Sequence, residues 1–194
     1  MGWENVLDED ILKFNMSFAA VFVLNYECLK DYVINQVRNF YSCNGKFVGD
    51  KYICEEAEEY KKEVRTLNKN IEDASLLWFV QSEAITQEDY KKYQIIRKKR
   101  NDITHELLKN LSNGFTENDK ELFADMVSIF NKIDKWWINE IEIPIASEDI
   151  PDDYDKNGVC SGQAILLSVI NSIVLDGQGA AYKDILNSMS EFIN

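Results

Sequence analysis

The stretch that decides the fold is DEDILKFNMSFAAVFVLNYECLKDYVINQVRNFY, Asp8 to Tyr41. Ile11, Phe14, Phe18, Phe22, Tyr26, Leu29, Val33, Val37 and Phe40 recur along it at steps of three or four. That period places them on one face of an α-helix. At 1.5 Å per residue such a helix runs about 50 Å, long enough to organise a whole domain. The remainder of the chain is compatible with it. Two prolines and eight glycines in 194 residues leave few breakers, and no strand ladder or 20–50-residue repeat is visible. The expected fold class is all-α: an up-and-down bundle of long antiparallel helices with extra C-terminal helices.

Working outward, SCNGKFVGD (Ser42 to Asp50) breaks the first helix, and Cys54 to Leu67 is expected as a short charged helix. Ile71 to Ile85 carries Leu76, Leu77, Trp78 and Phe79 and should be mostly buried. Thr86 followed by Asp89 resembles a capping box, and the helix it opens is expected to reach about Leu111 before SNG at Ser112 to Gly114. Thr116 caps a further helix to about Ile141, in which Trp136 and Trp137 are expected to pack, one in the core and one at its boundary. Pro144 and SEDIPDDYDKNG form a loop, with helices expected near Ser161 to Leu175 and Ala180 to Ile193. Residues 1–146 are thus expected to form the bundle. Residues 147–194 would form an acidic loop and helices packing on the same domain. Ala164 to Leu175 is expected to be a buried helix, being too short to span a bilayer.

The net charge is −13, which by itself argues against a general nucleic-acid coat. Local charge differs. From Lys91 to Lys109 there are seven basic residues against Asp102 and Glu106, a segment of +5. It contains the only histidine of the chain, in RNDITH, Arg100 to His105. On a helical wheel Ile96, Ile103 and Leu107 share the core side, and His105 lies about 180° from Ile96. Asn101 stands one turn before His105, and Lys91, Lys98 and Lys109 flank that polar side. Arg100 sits nearer the core edge, with a stem long enough to reach around. A solvated basic face carrying an idle histidine is the plain alternative.

Other constellations are weaker. DYDKNG at Asp153 to Gly158 opens like a calcium loop through Asp153, Asp155 and Asn157, but its twelfth position is Ala164 and not the bidentate Glu. The alternative is an acidic turn with a glycine at positive φ. Glu55, Glu56, Glu58 and Glu59 lack a histidine partner and read as a solvated face. GQG at Gly177 to Gly179 reads as a helix break. Cys28, Cys43, Cys54 and Cys160 show no CxxC spacing and suit reduced thiols in a cytoplasmic protein, and the acidic start MGWENVLDED lacks the plan of a signal peptide.

The string Arg100-Asn101-x-x-x-His105 resembles the R-x(4–6)-H motif of the HEPN superfamily, over roughly Asp8 to Ile145. The resemblance implies a helical bundle that pairs as a homodimer. It also implies a metal-independent endoribonuclease needing no cofactor, of the kind found in bacterial defence and toxin–antitoxin settings. Arg100, Asn101 and His105 would be the catalytic set, meeting their copies at a dimer cleft, with RNA as substrate and a protein antitoxin or defence-system partner as regulator. HEPN toxins controlled by a partner nucleotidyltransferase often carry Tyr two residues after the histidine, where this chain has Leu107. The competing classes are a non-catalytic HEPN-like binding or scaffold module, and an acidic antitoxin or immunity protein whose charge mimics nucleic acid.

Overall fold

In a computed structural model, residues 3–41, 44–49, 51–146, 150–151 and 153–177 are described. The helix expected at Ala180 to Ile193 lies outside them, as does Cys43. A five-residue helix, α1 (Trp3–Leu7), precedes the long helix α2 (Glu9–Phe40). The Asp8 side chain caps α2 by accepting from the amides of Asp10 and Ile11 at 3.1 and 3.0 Å. The middle of the predicted stripe is the buried face, with Phe18, Phe22, Tyr26, Leu29, Val33 and Val37 in the core, while Ile11, Phe14 and Phe40 at its two ends are exposed.

The next stretch differs from expectation. Strands β1 (Asn44–Val48) and β2 (Lys51–Glu55) form an antiparallel hairpin with Phe47 opposite Tyr52. Gly49 takes φ +63° at the turn, a conformation that favours glycine. Helix α3 therefore begins only at Glu58 (Glu58–Tyr60) and continues as a π-helical turn over Lys61–Arg65. This detour returns the chain so that α4 (Ile71–Gln81) runs the same way as α2. Tyr26 meets Glu72, and Tyr41 meets Trp78.

From there the direction alternates. Helix α5 (Gln87–His105) is followed by a break and α6 (Leu107–Asn113). Helix α7 (Glu117–Trp137) passes through a π turn (Ile138–Glu142) into α8 (Ile143–Ile145), so the helical path extends four residues beyond the expected end at Ile141 and includes Pro144. Helix α9 (Gly162–Asp176) starts at the Ser161 cap and ends with Gly177 in the left-handed region. It buries Ala164 and Leu167 against α2 and α7, while Ile165, Leu166, Ile173 and Val174 face outward. It is a half-buried edge helix and not the fully buried one expected, because only one of its sides meets the bundle. No described helix is long and apolar enough to cross a membrane.

Helices α5 and α7 clasp each other reciprocally. Thr86 and Asp89 form a capping box at the start of α5, and Thr116 and Asp119 form one at the start of α7. Each box aspartate also binds a lysine of the other helix: Lys132 to Asp89 and Lys99 to Asp119, both at 2.7 Å. Lys92 adds Asp125 at 2.8 Å. A polar cluster joins α2, α4 and α5, where the hydroxyls of Tyr26 and Tyr93 each donate to Glu72 Oε1 at 2.6 Å, and Arg97 binds Asp73.

Burial alone would raise the carboxyls of Asp73, Asp89 and Asp119. Hydrogen bonds and charge from Arg97, Lys132 and Lys99, with the threonine caps, outweigh it and hold all three below their ordinary value. Groups with depressed folded values give stability that is present above the unfolded value, about 3.9 for Asp, and lost as pH falls through the folded values. The urea midpoint is expected to be flat from pH 7 to about 5 and to drop below about 4. A midpoint that rises on acidification would contradict these pairings.

Candidate functional site

The motif lies at the end of α5. Ile96 and Ile103 are buried as the wheel requires, and Asn101 and His105 are exposed one turn apart on the opposite side. His105 is the last residue of α5. At Glu106 the backbone turns to φ −122° and ψ 35°, and α6 sets off in a new direction. Leu107, expected on the core side, is consequently exposed, because the wheel does not carry through the break. Leu108 is exposed as well.

What holds the break is Asn110. Its Nδ2 donates to the carbonyls of Asp102 at 3.1 Å and Glu106 at 3.0 Å, a second donor for each oxygen beside the backbone amides of Glu106 and Asn110. Lys99 Nζ donates to Asn110 Oδ1 at 3.4 Å. At the far end of α6, Asn15 and Asn5 donate to the carbonyls of Leu111 and Ser112 at 3.3 and 2.9 Å. Asn110→Ala is expected to cost about 1 kcal/mol. It should also speed amide exchange at Glu106, whose N–H donates to the Asp102 carbonyl. Unchanged exchange there would show that the break is held otherwise.

Arg100 turns away from the histidine. Its guanidinium pairs with Glu27 of α2 and lies over the Tyr26 ring, 5.4 Å from the centroid. Nη1 donates to Asn101 Oδ1 at 3.0 Å, which links the first two motif residues. Glu27 Oε2 also accepts from Lys30 at 2.8 Å. Burial alone would raise the Glu27 carboxyl, but Lys30 and Arg100 outweigh it and hold it low, so it is charged at neutral pH.

The basic segment is much less free than its sequence charge indicates. Lys92, Arg97, Lys99, Arg100 and Lys109 are paired with Asp125, Asp73, Asp119, Glu27 and Glu106. Among the described residues, Lys91 and Lys98 are the two of the seven that no carboxylate pairs. Both are exposed. Positions 91, 98 and 105 drift only about 20° per seven-residue step, so they form one stripe about 21 Å long on α5. Lys109 lies beyond the break, off this line.

Two clefts adjoin the motif. One of about 390 Å³ is lined by Val6, His105, Leu107, Leu108, Lys109 and Ser112. The other, of about 400 Å³, lies between α2 and α5–α6, lined by Met16, Ala19, Val23, Ile103, Leu107 and Leu111. Leu7, Met16 and Leu108 extend the exposed apolar surface around them.

The calcium candidates stand elsewhere. Asp155 Oδ1 accepts from the Asn157 amide at 2.9 Å, and Ser161 Oγ is already used to cap α9 at 3.1 Å. Gly158 is not at positive φ; a Cβ there would meet Asp155 Oδ2 at 2.8 Å, the movable end of a side chain that would have to turn aside. Among the described residues no group of three or more His, Cys, Asp and Glu is placed to hold a metal. Glu56 pairs with Arg65 and Glu58 with Lys61, away from the motif. Cys28 and Cys160 are free thiols. Trp137 is buried and Trp136 packs partly buried on Trp78 and Phe79.

Sequence reasoning missed Glu27, Tyr26 and Asn110 as parts of this site. Helical spacing places them, but nothing along the chain shows what an acid 73 residues from Arg100 touches. Fold and site together define an all-α bundle with an Arg-Asn-His run at the exposed end of one helix. Compared with known proteins, the chain matches no family model, no curated protein and no solved structure.

Proposed function

We propose that the chain is a metal-independent endoribonuclease of HEPN type, working in a bacterial defence or toxin–antitoxin setting on a site shared by two copies. The observation that carries this reading is the stripe formed by Lys91, Lys98, Asn101 and His105. Its two lysines are the unpaired cations of the segment, and it ends at the only histidine. Such a stripe suits the phosphates of a single strand, whose binding is mainly electrostatic.

RNA supplies its own nucleophile. A base takes the proton of the 2′-OH, the 2′-oxygen bonds to phosphorus, and the bond from phosphorus to the 5′-oxygen breaks. An acid protonates that leaving oxygen. The products are a 2′,3′-cyclic phosphate and a 5′-OH. Histidine suits both roles near neutrality, and a two-fold pair provides one for each. Arg100 would stabilise the phosphorane charge and Asn101 would orient the phosphate or the imidazole. The apolar clefts beside His105, with Leu7, Met16 and Leu108, give a second copy a surface to bury.

A second reading is a non-catalytic binding module. It is favoured by the internal pairing of five of the seven basic residues, Arg100 included. The deciding experiment is RNA cleavage in excess chelator by wild type and His105→Ala, with end-group analysis and mass in solution. Cleavage by wild type alone, leaving cyclic phosphate ends, supports the enzyme. Equal background from both proteins, or a strict monomer, moves the assignment to the binding module.

A further inference from the structure

The guanidinium of Arg100 is already occupied. Nη2 is on Glu27, Nη1 is on Asn101 Oδ1, and Nε is buried without a partner. A carboxylate offers this head two oxygens in a plane, as does a phosphodiester with its two non-bridging oxygens. We infer that Glu27 is a latch on the site: its carboxylate stands where an RNA phosphodiester would bind Arg100, and RNA engages Arg100 only by displacing it. The inference rests on the RNA-cleaving reading of Arg100, Asn101 and His105.

Three features make the exchange feasible. The pair is partly exposed, with 24 % of the Arg100 side chain and 32 % of the Glu27 side chain accessible, so breaking it strands no dry charge. Lys30, three residues on, holds the other oxygen of Glu27 and keeps the displaced acid paired. The Tyr26 ring supports the guanidinium from α2 whether or not Glu27 is bound. A resting copy of the protein is then a weak RNA binder whose strongest phosphate group is masked by its own first long helix.

The test is binding of a single-stranded 2′-O-methyl oligonucleotide, which lacks the attacking hydroxyl and is not consumed. Glu27→Gln keeps the shape of the side chain. It is expected to bind about three- to tenfold tighter than wild type. The dependence of log K on log salt should steepen by about 0.7, one recovered phosphate contact. Asp31→Asn, the same charge change at an exposed neighbour on α2, should give a smaller gain and no change in slope. The Glu27→Gln gain should vanish when Arg100 is also changed to Gln. Equal or weaker binding by Glu27→Gln, while Arg100→Gln still weakens binding, overturns the latch and leaves the RNA site standing. No binding of the oligonucleotide by wild type or by Glu27→Gln removes the RNA reading itself, and the latch with it.

Discussion

His105→Ala is expected to reduce RNA cleavage by about 10²- to 10⁴-fold, the usual worth of a positioned acid or base. The loss should appear with chelator present, since no metal takes part in the proposed chemistry. Its size follows from the chain's composition: there is one histidine, so no neighbouring imidazole can substitute. His105 is also exposed at a helix end, so its removal leaves the core intact and folding unchanged. A site shared by two copies adds a further requirement. Below the dimer dissociation constant, wild-type rate should rise with the square of protein concentration, and adding inactive His105→Ala protein in excess should suppress it. Cleavage retained by His105→Ala at the wild-type rate would remove the histidine from the mechanism.

Phe79→Ala is expected to cost about 3–5 kcal/mol and to lower the melting temperature on the order of 10 °C. Phe79 is fully buried on α4, and its ring lies 5.2, 6.0 and 6.2 Å from those of Trp78, Trp136 and Trp137. Three indoles thus face the void the substitution leaves, so tryptophan emission should shift to longer wavelength as water gains access. Leu166→Ala on the outward side of α9 is the comparison, expected within about 0.5 kcal/mol of wild type. Equal effects of the two would mean that the aromatic cluster at the α4–α7 contact is not where the core's packing energy lies.

Most of the helical layout is legible in the sequence because it is set by local rules. The Asp8–Tyr41 stripe needs only a period, and the caps at Thr86, Thr116 and Ser161 need only a hydroxyl three residues ahead of an amide. The hairpin at Asn44–Glu55 is not legible. Its strands are five residues each, and the charged run after Cys54 has helix-forming composition. The break at Glu106 is equally silent, since neither glycine nor proline marks it. A side chain four residues later, Asn110, holds it. The candidate site is half legible for the same reason. The helical period puts Asn101, His105, Lys91 and Lys98 on one side. The fate of Arg100 and of the segment's charge is set by carboxylates on α2, α4 and α7, which counting along the chain does not reach.

The reciprocal clasp between α5 and α7 has a mechanical consequence. Sliding α5 by one turn, about 5.4 Å, would separate Lys99 from Asp119, Lys92 from Asp125 and Lys132 from Asp89 all at once. The helix that carries RNDITH is therefore braced against travel along its own axis. The seven residues of α6 lie beyond this clasp and are tied to α1 and α2 instead, through Asn5 and Asn15 on the carbonyls of Ser112 and Leu111.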